Sequence, residues 1–236
     1  MYNYFSSSRG NNLIEVFGMF HIFLLVASLC IALLFFLFRK KLKINKHIKK
    51  IIAIILLLNM VIWYGGYIMT GTWTYKFHLP LHLCFILNFL YIYALLFDKK
   101  EMYNYLFYMI GMSSISGIVW MADNLSFEKY ITIQYIISHH FMLLSVYYLF
   151  FVLKEKVNIV GLKKAIILMN IIFISVLAFN LLFGTEYIFV KSFPPQIYKL
   201  YPFLKGFGLG FRIILLEAVG LLIGVANYTF IVKKVK

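Results

Sequence analysis

The sequence predicts an all-α fold, a polytopic membrane bundle of seven transmembrane helices with its N-terminus outside and its C-terminus cytoplasmic. Three observations predict it. Of the 236 residues, 63% are hydrophobic and 13% charged, against about 45–50% and about 25% in a soluble domain. The mean hydropathy is +0.89. The apolar residues gather into seven runs, and the basic residues crowd into alternate connections between them. A water-soluble globule is thereby excluded. With 14 Gly, 4 Pro and 2 Cys, so are collagen-like, low-complexity and disulfide-scaffold chains.

A bilayer core of about 30 Å takes about 20 apolar residues per helix. The runs cover roughly 16–38, 51–69, 79–97, 102–121, 131–153, 165–183 and 207–232. The first is too long, and its flank too uncharged, for a cleaved signal peptide. The connections leave no room for a soluble unit, so residues 1–236 form a single transmembrane domain. The longest connection, 184–206, holds Pro194, Pro195 and Pro202, which favour turns.

Orientation follows from the loops. Segments 39–50, 98–101, 154–164 and 233–236 carry sixteen of the 23 basic residues. The opposite side carries Arg9, Lys76, Lys129, Lys191, Lys199 and Lys205, and Arg212 lies within the seventh run. By the positive-inside rule the lysine-rich side is cytoplasmic and the chain is a multi-pass protein of the plasma membrane. The net charge of +15 is therefore a topology signal and not a nucleic-acid footprint. The expected partners are membrane lipids, anionic head groups among them; partner subunits stay open.

Polar groups in hydrocarbon are costly, so each asks for a reason. Cys84 lies roughly 8 Å below the outer end of the third run, and His139 roughly 12 Å below that of the fifth. His21, Asn59, Asn88, Asn180, Arg212 and Glu217 fall in the outer part or near mid-depth. A polar pocket opening outward accounts for this distribution. Cys84 and Asn88 share a helix face at i and i+4, as do Asn59 and Trp63; His82 points nearly opposite to Cys84. His139 and His140 are about 100° apart, so one of them faces any given pocket.

A thiol becomes a strong nucleophile when a base or a positive charge favours the thiolate. Cys84 with a histidine at matching depth is the pair that acyl transfer through a thioester requires. The plainer reading is a packed, inert cysteine, which is the reading for Cys30. Cys84 with His139 and His140 could form a three-ligand zinc set, but adjacent histidines on one helix rarely aim both rings at one ion; hydrogen bonding to neighbouring helices is the alternative. His21 is expected to satisfy a backbone carbonyl. Glu217, the carboxylate deep in an apolar run, would pair with Arg212 or a pocket histidine, either as a proton relay or as a structural pair. Gly220 and Gly224 fit helix packing. The seventh run has no lysine for a retinal Schiff base, and the chain lacks a phosphate-binding loop of its own. No cofactor is called for.

The stretch His78-Leu79-Pro80-Leu81-His82-Leu83-Cys84 resembles the L-P-L-H-x-C signature that opens the third helix of the YwaF-like integral membrane proteins. Their animal relatives are the transmembrane-protein-164 family, which resembles a phospholipid acyltransferase group. Ser138-His139-His140 matches an intramembrane histidine of the fifth helix in that family. Gly184-Thr185-Glu186-Tyr187, after Asn180 and before Pro194, matches a third element, with Glu186 where an Asn is expected. The resemblance covers nearly the whole chain. It implies Cys84 as nucleophile and His139 as base.

The function expected is a lipid acyltransferase or acyl hydrolase whose catalytic residues are Cys84 and His139. His82, Asn88, His140, Asn180, Arg212 and Glu217 would line the substrate site, and Asn88 or Asn180 would donate to the oxyanion. The alternative is a transporter component or small-molecule-binding subunit in which Glu217 contacts substrate or couples protons. A structural protein without a ligand is a third reading.

Overall fold

The computed structural model describes residues 4–5, 12–42, 47–120, 125–189, 193 and 195–235. Among them the secondary structure is helical throughout, with no strands beyond an isolated bridge between Leu13 and Ser126. The long helices are α1 (Met19–Phe38), α2 (Ile48–Met69), α3 (Leu83–Leu96), α4 (Lys100–Val119), α5 (130–151) and α6 (Ile159–Phe183). A short α7 (Pro195–Leu200) precedes α8 (Leu209–Val232). Four of them, α1, α2, α6 and α8, are long and apolar enough to cross a membrane.

The helix α4 is the hub. It packs against α3, α5, α6 and α8, and residues 106–114 are buried without interruption. A helix buried on every side is an interior one. Its small residues admit close neighbours: a Cβ on Gly111 would stand 3.1 Å from the side chain of Asn227 on α8. Around this hub the outer helices turn apolar surface outward. In α1 His21 alone is buried among the described residues, while Leu29, Ile214, Leu222 and Phe230 are exposed. Such faces suit lipid, not water.

The helix ends sort into two polar layers. At the lysine-rich end, Lys49 of α2 bonds Asp98 between α3 and α4 at 2.6 Å, and also bonds Glu155 between α5 and α6. Nearby, Asn158 caps α6 by accepting from the amides of Val160 and Gly161. The other end is closed by backbone. The carbonyl of Tyr4 accepts from the amide of Tyr130, Thr72 Oγ1 donates to the carbonyl of Phe5, and the amide of Ile14 donates to the carbonyl of Leu125.

Two local departures shape the site. The third run was expected to be helical from 79, but α3 begins at Leu83 and is 14 residues long. Pro80 restrains the residue before it from helix, and His82 stays extended at the N-cap (φ −68°, ψ 141°). Cys84 therefore sits in the first turn of α3, and not five residues in. The second departure is in α5, where a π segment, Ile136–Phe141, interrupts the α-helical pattern. It contains Ser138, His139 and His140, and π-bulges are frequent at functional sites. Farther on, Pro195 and Pro202 each open a short helix where turns were expected; proline's missing N–H is harmless at a first helical position. Pro194 and Lys191 lie outside the described residues.

Candidate functional site around Cys84

The first turn of α3 sets the position of Cys84. His82 is the N-cap, and its carbonyl accepts from the Phe85 and Ile86 amides, which leaves the Leu83 and Cys84 amides at the start of α3 without intrahelical partners. The amides of Cys84 and Phe85 interact with the Cys84 sulfur. One turn on, Asn88 Nδ2 donates to the Cys84 carbonyl at 2.8 Å and to Ser138 Oγ of α5 at 3.0 Å. Ser138 Oγ also accepts from Gln134 Nε2 at 2.9 Å. All three polar residues of this bridge are buried. Asn88 and Ser138 are level with each other, which places Cys84 about 6 Å nearer the lysine-poor end. The Cα–Cβ bond of a helical residue tilts toward the N-terminus, so the His139 side chain leans in that same direction.

The π segment separates the adjacent histidines. The His140 Nδ1 and Ser28 Oγ of α1 are 2.7 Å apart. His139 packs against Tyr135, with ring centroids 5.0 Å apart, and against α4 at Gly117, where a Cβ would overlap its imidazole. The imidazoles of His139 and His82 lie within electrostatic range of each other. His139 is thus set against Gly117 of α4, with His82 at the α3 N-cap within electrostatic range, while His140 serves the contact with α1. His21, expected to satisfy a backbone carbonyl, bonds Ile118 O through Nε2 at 2.7 Å.

Buried polar atoms without a hydrogen-bond partner include Asn88 Oδ1 and Tyr64 Oη, on residues next to Cys84, and His139 Nδ1 on α5. The Tyr64 hydroxyl lies within electrostatic range of the Cys84 thiol. On the same helix as Tyr64, Trp63 Nε1 and Asn59 Nδ2 are also unpartnered. Buried polar groups are ordinarily satisfied, and Ser114 Oγ and His140 Nε2 are left without a partner in the same way. Sequence reasoning missed Tyr64, Gln134 and Ser138. Tyr64 follows Trp63, whose pairing with Asn59 was visible; Gln134 and Ser138 form an i,i+4 polar pair on an apolar run, the signal that could have found them.

The third element comes to the first. Asn180 Oδ1 accepts from the amide of Tyr187 at 2.9 Å and from Thr185 Oγ1 at 2.7 Å, while its Nδ2 donates to the Tyr187 carbonyl at 2.8 Å. Tyr187, fully buried, reaches back with its hydroxyl, accepting from the Leu79 amide at 3.0 Å and donating to the Tyr75 carbonyl. His82 packs on Tyr187 and Phe189, and its Nδ1 accepts from the Ile188 amide at 3.4 Å. Asn180 therefore positions the 184–189 loop, which closes over the α3 N-terminus. Asn88 spends both amide donors on the Cys84 carbonyl and Ser138 Oγ, and the Asn180 amide is engaged with the loop, which corrects the expectation that Asn88 or Asn180 donates to an oxyanion.

Two candidates lie elsewhere. Glu217 is exposed on α8, a helix that packs on α4 and α6. Arg212 Nη2 donates to the Phe207 carbonyl at 2.9 Å, and the pair expected between Arg212 and Glu217 is not formed. The depth of Glu217 along its apolar run did not tell which way the side chain points. Gly224 does pack, its Cβ position overlapping Met112, whereas Gly220 faces open space. Cys30 is exposed on α1 and Cys84 is half-buried.

No curated protein and no solved structure matches the chain. The sequence model of the TMEM164 family matches residues 16–228, so that the L-P-L-H-x-C stretch, the π segment and the Asn180-anchored loop all fall within it, and the chain belongs to the TMEM164 family.

Proposed function

We propose that this integral membrane protein is a lipid acyltransferase or acyl hydrolase with Cys84 as nucleophile and His139 as general base. The carrying observation is the set of unpartnered buried polar atoms, His139 Nδ1, Asn88 Oδ1 and Tyr64 Oη, on α5, α3 and α2, with α5 joined to the first turns of α3 through the Asn88–Ser138 bond. His139 takes the proton of the Cys84 thiol. The thiolate attacks the ester carbonyl of a phospholipid, and the partial positive charge of the α3 N-terminus favours both the thiolate and the oxyanion. The carbon–oxygen ester bond breaks, the lyso-lipid leaves with the proton from His139, and an acyl thioester remains on Cys84. A second lipid hydroxyl, or water, then attacks the thioester, returning a proton to His139 and restoring the thiol.

In this reading the chain spans the membrane seven times, with the lysine-rich end in the cytoplasm of the cell and the Cys84 end in the outer half of the plasma membrane. An amphiphilic substrate reaches that depth by lateral diffusion. The test is lipid turnover by the purified full chain in phospholipid vesicles, with mass spectrometry for an acyl adduct on the Cys84 peptide. Turnover and the adduct are both expected, and both vanish in Cys84→Ala. Turnover that survives this substitution overturns the proposal.

A further inference from the structure

At the lysine-rich end, a cavity of about 540 Å³ opens between the C-terminal ends of α1 and α5 and the start of α6. Its rim carries Arg39, Lys40, Lys154 and Lys156, and its floor is Phe150, Phe151 and Val157. The size lies within the roughly 300–1,000 Å³ of small-molecule sites. The carboxylate on its wall, Glu155, shares Lys49 with Asp98, so the lining sets four cations against one partly compensated carboxylate. The Arg39 guanidinium is held over the Phe36 ring, 4.2 Å from its centroid, and donates to the Phe36 carbonyl, which fixes its place at the rim. Lys154 adopts a left-handed backbone (φ 54°), a conformation that costs a residue with a Cβ about 1–2 kcal/mol. A glycine would serve the chain reversal better; the lysine is there at a conformational cost.

From the cavity, its four cations and its apolar floor, we propose a binding site for a phosphate group carried on a glycerol backbone. The phosphate meets the cations at the rim and the glycerol-linked carbon chain lies on Phe150 and Phe151. This chemistry fits the head group of an anionic phospholipid and fits soluble glycerol phosphate as well. It is separate from the Cys84 site, which lies at the other end of the bundle, and it does not depend on acyl transfer.

Native mass spectrometry of the full chain in detergent tests it, with phosphatidylglycerol, phosphatidylcholine and glycerol 3-phosphate as probes. Phosphatidylglycerol is expected to bind in preference to phosphatidylcholine. Competition by glycerol 3-phosphate identifies the phosphate-glycerol unit as sufficient; its absence with retained phosphatidylglycerol binding assigns the site to lipid. Each cation removed is expected to weaken binding about fivefold. Lys154→Gly is decisive, because it relieves the left-handed strain while removing a charge: the fold is kept and binding falls. The pair Lys163→Gln and Lys164→Gln makes the same kind of change on α6, outside the cavity. If that pair weakens binding as much as Lys154→Gln with Lys156→Gln, or if neither phosphate probe binds in preference to phosphatidylcholine, the site does not exist.

Discussion

At one end of the bundle Lys49 bridges Asp98 and Glu155, and Asn104 and Asn158 bond each other twice, at 3.1 and 3.0 Å. At the other, Tyr64, Asn88 and His139 hold neutral polar atoms that meet nothing. The first region is charged: its two carboxylates share Lys49, and further cations surround them. The second is uncharged in its ground state, buried and incompletely satisfied. Charges near a membrane surface are cheap and fix orientation, whereas an unsatisfied buried polar atom costs about 1–3 kcal/mol and persists where it has a use. The chemistry is proposed for the uncharged end on this ground, although the charged end holds most of the ionisable residues.

The sharpest way to break that comparison is Cys84→Ala, expected to lower lipid turnover at least about a thousandfold. His139→Ala is expected to lower it about 10²–10⁴-fold, while His140→Ala, at the α1 contact, leaves most of it. Equal losses from both histidines would erase the distinction drawn by the π segment. Next in size, Asn180→Ala removes three hydrogen bonds from the 184–189 loop. It is expected to cost about 3 kcal/mol in thermal unfolding and to raise amide exchange at Thr185 and Tyr187. Gly117→Ala pushes on the His139 ring and is expected to cost about 1–3 kcal/mol, with a matching fall in turnover. Gly220→Ala, which meets nothing within 4 Å, is the neutral control.

Smaller effects separate the two ends by pH. Burial holds the His78 pKa below the ordinary histidine value, against a weaker opposing effect of its bond to Thr74. Its neutral form is the one the fold accepts, so the stability it supports is present above about pH 6.5 and declines as the pH falls below it. Amide exchange in 70–82 is expected to accelerate on acidification, and His78→Gln to flatten that response. At the charged end the hydrogen bond from Lys49 holds the Asp98 carboxyl below its usual range. Its contribution is present at neutral pH and is lost as the pH falls through that lowered value. Asp98→Asn is expected to cost no more than about 0.5 kcal/mol, because the side chain is 53% exposed, and to remove that acid response in a melting series.

Much of the architecture was legible. The extents of α1, α2, α4, α5 and α8 follow from apolar run length, and the family signature led to Cys84. The limits are as instructive. Pro80 and His82 lie inside an apolar run whose hydropathy conceals the extended backbone they impose, so the start of α3 was placed four residues early. The π segment leaves no mark in composition, so the divergent directions of His139 and His140 could be posed as a question but not answered. Asn180 was placed at the right depth, yet its partners sit five to seven residues away in a loop whose course depends on Tyr187 finding Leu79 and Tyr75. Glu217 was misread because depth along a helix says nothing about rotation around it.

The π segment also has an evolutionary reach. A wide helical turn accommodates one residue more than regular winding would, so a single codon lost from 136–141 would restore an unbroken helix and swing the imidazoles away from α4 and α1 while leaving the hydrophobic length of α5 almost intact. A chain altered in that way would still enter a bilayer and fold as a bundle. Relatives with and without the wide turn would then differ by a phase shift in one helix, and not by the loss of any signature side chain.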